Sequence, residues 1–229
     1  MTLHFTSFFL GDSMTTEFSF EAEPPQDLID YVVGIESGSW LDTLRRGRNV
    51  LRDNAQQSAA FLLNPERDEG FSRTERLAVA SFVAGLHGEQ DIYRLYLGLL
   101  ERSGEGHALS AAIRQFVSEG RTRGPYGAYP KGALSKEDLN GLVFDVSAGK
   151  IGNRLSAALK HAHLLVYHPR DASADALEAL QQAGWSETAI VTLSQLVSFL
   201  TFQVRIIHGL TVLRHAGPAV GQGLPESTS

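Results

Sequence analysis

The most informative absence in this sequence is cysteine, because none of the 229 residues is a Cys. A disulfide framework, a thiolate nucleophile and a metal site with Cys ligands are therefore all excluded. Strand signals are nearly absent as well, since no segment alternates apolar and polar residues strongly enough for a sheet. The sequence also lacks a Gly-rich phosphate loop and a repeat of solenoid length.

The sequence has no excess of positive charge either. The formal net charge is −6, which argues against a nucleic-acid partner. Basic residues do cluster at Arg45, Arg46, Arg48 and Arg52, but helical spacing scatters such residues and predicts a solvated face. Apolar residues make up 43% of the chain and charged residues 20%, which is typical of a globular protein.

Helix start and stop signals recur along the chain and predict an all-α bundle. The capping-box pattern Ser39–Asp42 predicts a long helix to about Leu63, and Ser72–Glu75 begins another. Ser186 is expected to cap the last and longest helix, to about Arg214. Further helices are predicted over 25–35, 89–102, 107–120, 150–167 and 173–183, and one more from Ser135.

The clearest irregular region is Gly120–Gly132, a loop of a length that is often functional or mobile. We predict a flexible leader over 1–23, one helical domain over 24–216 that can divide into two halves near 120–132, and a disordered tail over 217–229. The leader is a poor secretory signal, and Met14 is an alternative start.

The apolar segment Ala189–Leu210 is long enough to cross a bilayer. It carries polar residues that include Ser194, Gln195, Gln203, Arg205 and His208, so we expect a buried helix, no membrane contact and a cytoplasmic protein.

Two stretches carry a resemblance to a known family. In Phe71–Tyr96 a helix cap and Glu75 are followed by His87, Gln90 and Arg94. This resembles the AhpD-like (alkylhydroperoxidase D / carboxymuconolactone decarboxylase) family. There a Glu precedes a Cys-x-x-Cys pair by twelve residues, and a His follows four residues later. Here the Glu is kept, while His87, Gln90 and Arg94 stand at the positions of the two Cys and the His.

The second stretch is similar to the C-terminal part of the peroxidase-related branch of that family. Leu177–Gly184 precedes a long apolar helix that carries Gln203 and Arg205. The resemblance implies an AhpD-like helical bundle that assembles as a homodimer or a larger ring. An oligomer also agrees with a last helix that is apolar nearly all round and must be covered on every side.

The resemblance implies redox chemistry that this chain cannot perform. In redox members a thiolate attacks a peroxide and a second thiol resolves the sulfenic acid. Neither His87 nor Gln90 can take these roles, and Arg94 cannot exchange protons near neutral pH. Glu75 is either a helix cap alone or a cap that also serves a site.

The family's decarboxylase members also lack the Cys pair and act on an anionic lactone. By that resemblance Arg94 and Arg205 can hold the carboxylate of a small anionic ligand. His87 is then either a general acid or base, or a helix-end residue that faces water. Gln203 and Arg205 are the candidate substrate-binding residues of the last helix. Arg205 either lines the same pocket as Glu75, His87 and Arg94 or forms a structural ion pair that joins helices or subunits, with Glu75 or Asp145 as the expected partner.

The histidines do not predict a metal site, because the rings of His161 and His163 point about 200° apart on a helix. We expect no cofactor. Three hypotheses for function remain. The first is a non-redox enzyme or small-molecule binder, in which Glu75, His87, Gln90 and Arg94 converge on a cavity. The second is an inactive paralogue that assembles with a Cys-containing relative. The third is a peroxidase that works through a bound haem or metal.

Overall fold

The computed structural model describes residues 27–218, without the side chain of Glu137, and these residues form α-helices and no strand. The helices are α1 (Leu28–Val33), α2 (Trp40–Arg46), α3 (Asn49–Leu63), α4 (Arg73–His87), α5 (Gln90–Arg102), α6 (Gly106–Gly120), α7 (Gly152–Tyr167), α8 (Ala174–Gln182) and α9 (Glu187–Ala216). The predicted all-α class is confirmed. The leader, Pro24-Pro25 and most of the tail lie outside the described residues.

The central helix is α4, which packs against α3, α5, α6, α7 and α9. Every residue from Arg76 to Leu86 is buried. The predicted capping box of Ser72 and Glu75 begins the helix, and Gly88 ends it in the left-handed conformation that a glycine adopts easily. These two local signals therefore place the ends of the helix around which the others assemble.

The longest helix, α9, is only partly covered by the rest of the chain. It packs mainly on α4 and α7 through core residues such as Leu193 and Leu200. Val191 and Val212 remain 57% and 54% exposed. In the described part of the chain, α9 is the one helix long and apolar enough to cross a bilayer, and 44% of its apolar window is buried. Within one chain, the neighbouring helices therefore do not cover α9 on every side.

Two predicted helices differ from the observed ones. The helix expected from Ser39 to Leu63 is divided at Gly47 and Arg48, where the backbone of Arg48 leaves the helical region. Ser39 does cap α2, through a hydrogen bond from the Asp42 amide. The helix expected from Ser135 is a single 3₁₀ turn over Ser135–Glu137. Residues 121–151 therefore form one long irregular segment, in which the regular elements are the short 3₁₀ turns Ser135–Glu137 and Ala148–Lys150.

Part of the basic cluster near residue 45 is buried rather than solvated. Arg45 is 7% exposed and donates to both carboxylate oxygens of Asp27 at 2.9 and 2.8 Å and to Asp30 at 2.7 Å. Arg52 pairs with the same two aspartates at 2.9 and 2.8 Å. The expectation of a solvated face is wrong for Arg45, because Asp30 of α1 and Asp27, the N-cap of α1, neutralise it.

Candidate functional site

Glu75 lies at the N-terminal end of α4 and is fully engaged there. Its Oε2 accepts from the Ser72 amide at 2.9 Å, which completes the capping box. Its Oε1 accepts from Arg154 Nε at 2.7 Å, and the Arg154 guanidinium lies 4.1 Å from the ring centroid of Trp185. The carboxylate therefore joins the start of α4 to α7 in addition to capping the helix.

His87 lies at the opposite end of α4. Twelve residues of helix separate it from Glu75, which is about 18 Å along the axis. Its Nε2 is 3.3 Å from Thr201 Oγ1 of α9. Burial, and to a lesser degree the charge of Arg205, lower the pKa of His87 to about 4. The ring is therefore neutral near pH 7 and half-buried between α4 and α9.

Gln90 and Arg94 lie on the exposed side of α5. Gln90 donates a long hydrogen bond of 3.4 Å to the Gly88 carbonyl. The Arg94 side chain is 70% exposed, and its Nη1 is 3.7 Å from a carboxylate oxygen of Asp91. Neither side chain is held against His87 by a hydrogen bond.

Gln203 and Arg205 are placed on different sides of α9. Gln203 is 1% exposed, and its Oε1 accepts from the hydroxyl of Tyr96 at 2.5 Å. Burial raises the pKa of Tyr96, so this hydroxyl stays protonated and donates. Arg205 is exposed and forms no ion pair with any described residue.

The partners expected for Arg205 are engaged elsewhere. Glu75 pairs with Arg154, and Asp145 pairs with Lys160. Within one chain Arg205 therefore does not form the ion pair with Glu75 or Asp145, because this residue lies on a solvent-facing side of α9.

The structure does not bring Glu75, His87, Gln90 and Arg94 to one place. The expectation that they converge on a cavity is not met within one chain, because the spacing along α4 separates its two ends. Neither of the two large cavities described next is lined by these four residues or by Gln203 and Arg205.

The first large cavity lies between the irregular segment, α7 and α8, and we call it the histidine cavity. Its volume is about 840 Å³, within the range that binds small molecules. Apolar side chains of the irregular segment and of the flanking helices form much of its wall. Its ionisable lining residues are Asp138, Lys160, His161, His163, His168 and Asp171.

Several contacts hold the irregular segment over α7. The Tyr126 amide donates to the Tyr167 carbonyl at 2.6 Å, at the end of α7. His168 Nε2 lies 2.9 Å from the carbonyl of Leu142, and His168 Nδ1 lies 3.1 Å from Asp171 Oδ2. Because both partners are acceptors, the ring satisfies both bonds when both nitrogens carry a hydrogen.

Phe144 and His163 close one side of the histidine cavity. Their rings stack at 4.8 Å, and Phe144 also stacks on Phe82 of α4 at 5.3 Å. His163 Nε2 is 3.0 Å from the Gly120 carbonyl at the end of α6. A Cβ at Gly120 would lie 3.0 Å from the Phe144 ring, so this glycine leaves room for it. Burial lowers the pKa of His163, which favours the neutral ring.

His161 is the least satisfied member of the cavity wall. It is 6% exposed, and burial lowers its pKa. Its Nε2 lies 3.0 Å from Ser194 Oγ of α9, and that hydroxyl donates to the Ile190 carbonyl at 3.0 Å. Among the buried side-chain polar atoms that the structure describes, His161 Nδ1 is the one without a hydrogen-bond partner.

The second large cavity is an open groove between α3, α8 and α9, with a volume of about 860 Å³, and we call it the α9 groove. Phe61 and Leu177 contribute apolar surface, and Gln57 and Ser198 contribute polar atoms. Ser194 lines this groove while its partner His161 lines the histidine cavity. A single hydrogen bond therefore joins the walls of the two cavities.

The sequence singled out the loop at 120–132 and placed His161 and His163 on different sides of one helix. It did not indicate that this loop extends to residue 151 and covers those histidines. Within residues 27–218, no three His, Asp or Glu side chains lie close enough together to hold a metal ion.

Comparison of the chain with family models, with curated proteins and with solved structures finds no match.

Proposed function

We propose that this chain is a small-molecule binder or non-redox enzyme, built on an AhpD-like helical bundle, whose ligand occupies the histidine cavity. The observation that carries the proposal is a cavity of about 840 Å³ with an apolar wall in which three histidines, His161, His163 and His168, lie together.

The proposal moves the ligand away from the region that the family resemblance indicates. Of the four candidate side chains of that region, Gln90 and Arg94 are exposed. Glu75 is bound to Ser72 and Arg154, and His87 contacts Thr201. The histidine cavity combines an apolar wall with a few polar groups, which is the usual make-up of a small-molecule site. Thiol peroxidase activity is not part of the proposal, because the chain has no cysteine.

The charges of the histidine cavity support a neutral ligand rather than the small anion that the resemblance implies. Lys160 is paired with Asp145, and the wall also carries Asp138 and Asp171. Among the lining residues of this cavity, no Lys or Arg lacks an acidic partner. An anionic ligand would therefore meet carboxylates without a free positive partner.

A screen of neutral aromatic fragments by protein-observed NMR tests this function. We expect binding fragments to shift the methyl signals of Val143, Val146 and Leu164, which line the histidine cavity. Ala157→Phe places a ring in the cavity and should weaken binding at least tenfold. Ser198→Phe places the same ring in the α9 groove and is the matched control.

Fragments that shift only α9-groove signals, or that bind Ala157→Phe as well as the native chain, would refute a ligand in the histidine cavity. Circular dichroism and thermal melting establish that both variants are folded.

A second candidate function is structural assembly, either as a homo-oligomer or with a Cys-containing relative. It is favoured by the apolar surface of the α9 groove, where Phe61 is 64%, Val191 57% and Leu177 44% exposed. Exposed apolar surface that lies together often marks an interface. We commit to a second copy of this chain as the occupant, because α9 is long and apolar and only 44% of its apolar window is buried within one chain.

Sedimentation of the full chain tests that assembly. We expect a dimer or larger species that Val191→Glu converts to monomer, because the new charge would be buried at the interface. A chain that is monomeric at about 100 μM contradicts it.

A further inference from the structure

The uncovered side of α9 is one continuous face of the helix. Seven exposed or half-exposed residues follow one another along it at intervals of three or four positions, which keeps them within about 100° around the helix axis. They are Val191, Gln195, Ser198, Phe202, Arg205, Gly209 and Val212. We call this face the α9 stripe. Its first three residues line the α9 groove, and its last three do not.

The α9 stripe is symmetric about Phe202. Residues that precede Phe202 by four, seven and eleven positions are matched by residues that follow it by three, seven and ten. Two antiparallel copies of α9 that cross at Phe202 therefore place Val191 opposite the partner's Val212. A parallel pair would place Arg205 against the partner's Arg205, and like charges across an interface repel.

The charges along α9 also favour the antiparallel arrangement. Glu187 is the acidic residue of the first turn, whereas Arg205 and Arg214 lie in the C-terminal half. Beside the N-terminal half, α8 adds Asp175 and Glu178 and has no Lys or Arg. Antiparallel pairing brings the acidic half of each copy against the basic half of the other.

The same face fits a lipid bilayer poorly. Gln195, Ser198 and Arg205 occupy its middle, and an arginine at the centre of a lipid-facing helix is costly. A second protein surface can satisfy these groups. Arg205 forms no ion pair within residues 27–218, and in the antiparallel arrangement it lies opposite the partner's Ser198 hydroxyl, which can accept from it.

We propose that two copies of the chain pair through antiparallel α9 stripes centred on Phe202, so that the C-terminal half of each α9 enters the α9 groove of the other copy. The inference rests on the assembly proposed above, since it concerns the same groove. It adds the orientation and register of the contact. Because both copies use the same surface, the pairing closes at a dimer.

Disulfide crosslinking of the full chain tests the register, and the native chain has no cysteine to interfere. Val191→Cys and Val212→Cys chains with different affinity tags are mixed and oxidised. We expect disulfides between the two different chains and only traces between identical ones. A parallel pair gives the reverse. Ser118→Cys, on an exposed position of α6, is the control and should crosslink with neither.

A charge placed at Ser198 tests the same register without crosslinking. Ser198→Glu sets a carboxylate opposite the partner's Arg205, so the dimer should dissociate about threefold less readily by sedimentation at low salt. Ser198→Lys sets a cation there and should weaken the dimer. In a parallel pair each substitution would face its own copy, and both would weaken it. Circular dichroism establishes that the variants are folded.

Disulfides between identical chains, or a dimer that Ser198→Glu weakens, would overturn the antiparallel register and leave the assembly on α9 in place. A dimer that none of these variants crosslinks or alters forms through another surface, which overturns both. A monomeric native chain also overturns both, and its binding to phosphatidylcholine vesicles would show that the α9 stripe contacts lipid.

Discussion

The histidine cavity and the α9 groove have nearly the same volume, about 840 and 860 Å³, but different chemistry. The α9 groove is formed by three regular helices, and none of its lining residues has an ionisable side chain. The histidine cavity has six such residues, and one of its walls is the irregular segment 121–151. An irregular backbone can bring backbone carbonyls and side chains against a helix at positions that no helical period would supply.

On the proposed functions, the two spaces have separate roles. A groove of apolar, amide and hydroxyl groups between helices suits a protein surface, whereas fixed polar groups in an apolar cavity suit a small molecule. His161 and Ser194 connect the two, so a change on the groove side of this hydrogen bond reaches the cavity side. The following predictions test this comparison.

The largest expected effect is on the cover of the histidine cavity. Phe144→Ala removes a ring that stacks on both Phe82 and His163. Because Phe144 is only half-buried, we expect a loss of about 2 kcal/mol in the free energy of unfolding, below the usual cost for a fully buried ring. Chemical denaturation measures the loss.

Hydrogen exchange then locates the effect of Phe144→Ala. Amides of residues 121–151 should exchange faster, while those of α3 beside the α9 groove keep their protection. Equal acceleration in both places would mean that the two cavities are not structurally independent.

Acid should also destabilise the histidine cavity more than the α9 groove, because histidines line only the cavity. Burial lowers the pKa of His161 and His163, and burial with the charge of Arg205 lowers that of His87 to about 4. The unfolded chain, with a histidine pKa near 6.5, then binds more protons than the folded chain as the pH falls. The stability that these neutral rings contribute is complete above about pH 6.5 and is lost as the pH falls below it, through about pH 4 in the case of His87.

Melting temperatures between pH 7.5 and 4.5 measure this dependence. His163→Gln keeps a donor for the Gly120 carbonyl and removes one titrating group, so its melting temperature should fall less steeply with acid. An unchanged slope in that variant would show that His163 is not buried as a neutral ring.

Local signals in the sequence predicted the helices well, because a cap and its helix are neighbours along the chain. Ser72 with Glu75, Gly88 and Ser186 all end or begin helices where the sequence indicated. The pairing of Arg45 was missed, since its partners lie fifteen and eighteen residues away in α1.

The candidate site was harder to predict for the same reason. A motif spaced along α4 fixes positions on one helix but does not say which neighbours approach it. The histidine cavity exists because residues 121–151 fold across α7. The sequence of this segment has no apolar periodicity from which its path could be predicted. Only the unusual length of the loop after Gly120 indicated that this region has a role.

The smallest expected effect lies in the α9 groove. Phe61 is 64% exposed, so Phe61→Ala should change the free energy of unfolding of an isolated chain by no more than about 0.5 kcal/mol. The same ring would be covered if a second copy packs on the groove. Denaturation at low concentration should therefore leave stability almost unchanged, while sedimentation at high concentration should reveal weaker association. A large loss of stability in the dilute chain would mean that Phe61 packs within its own protomer, and the groove would then lose its distinction from the histidine cavity.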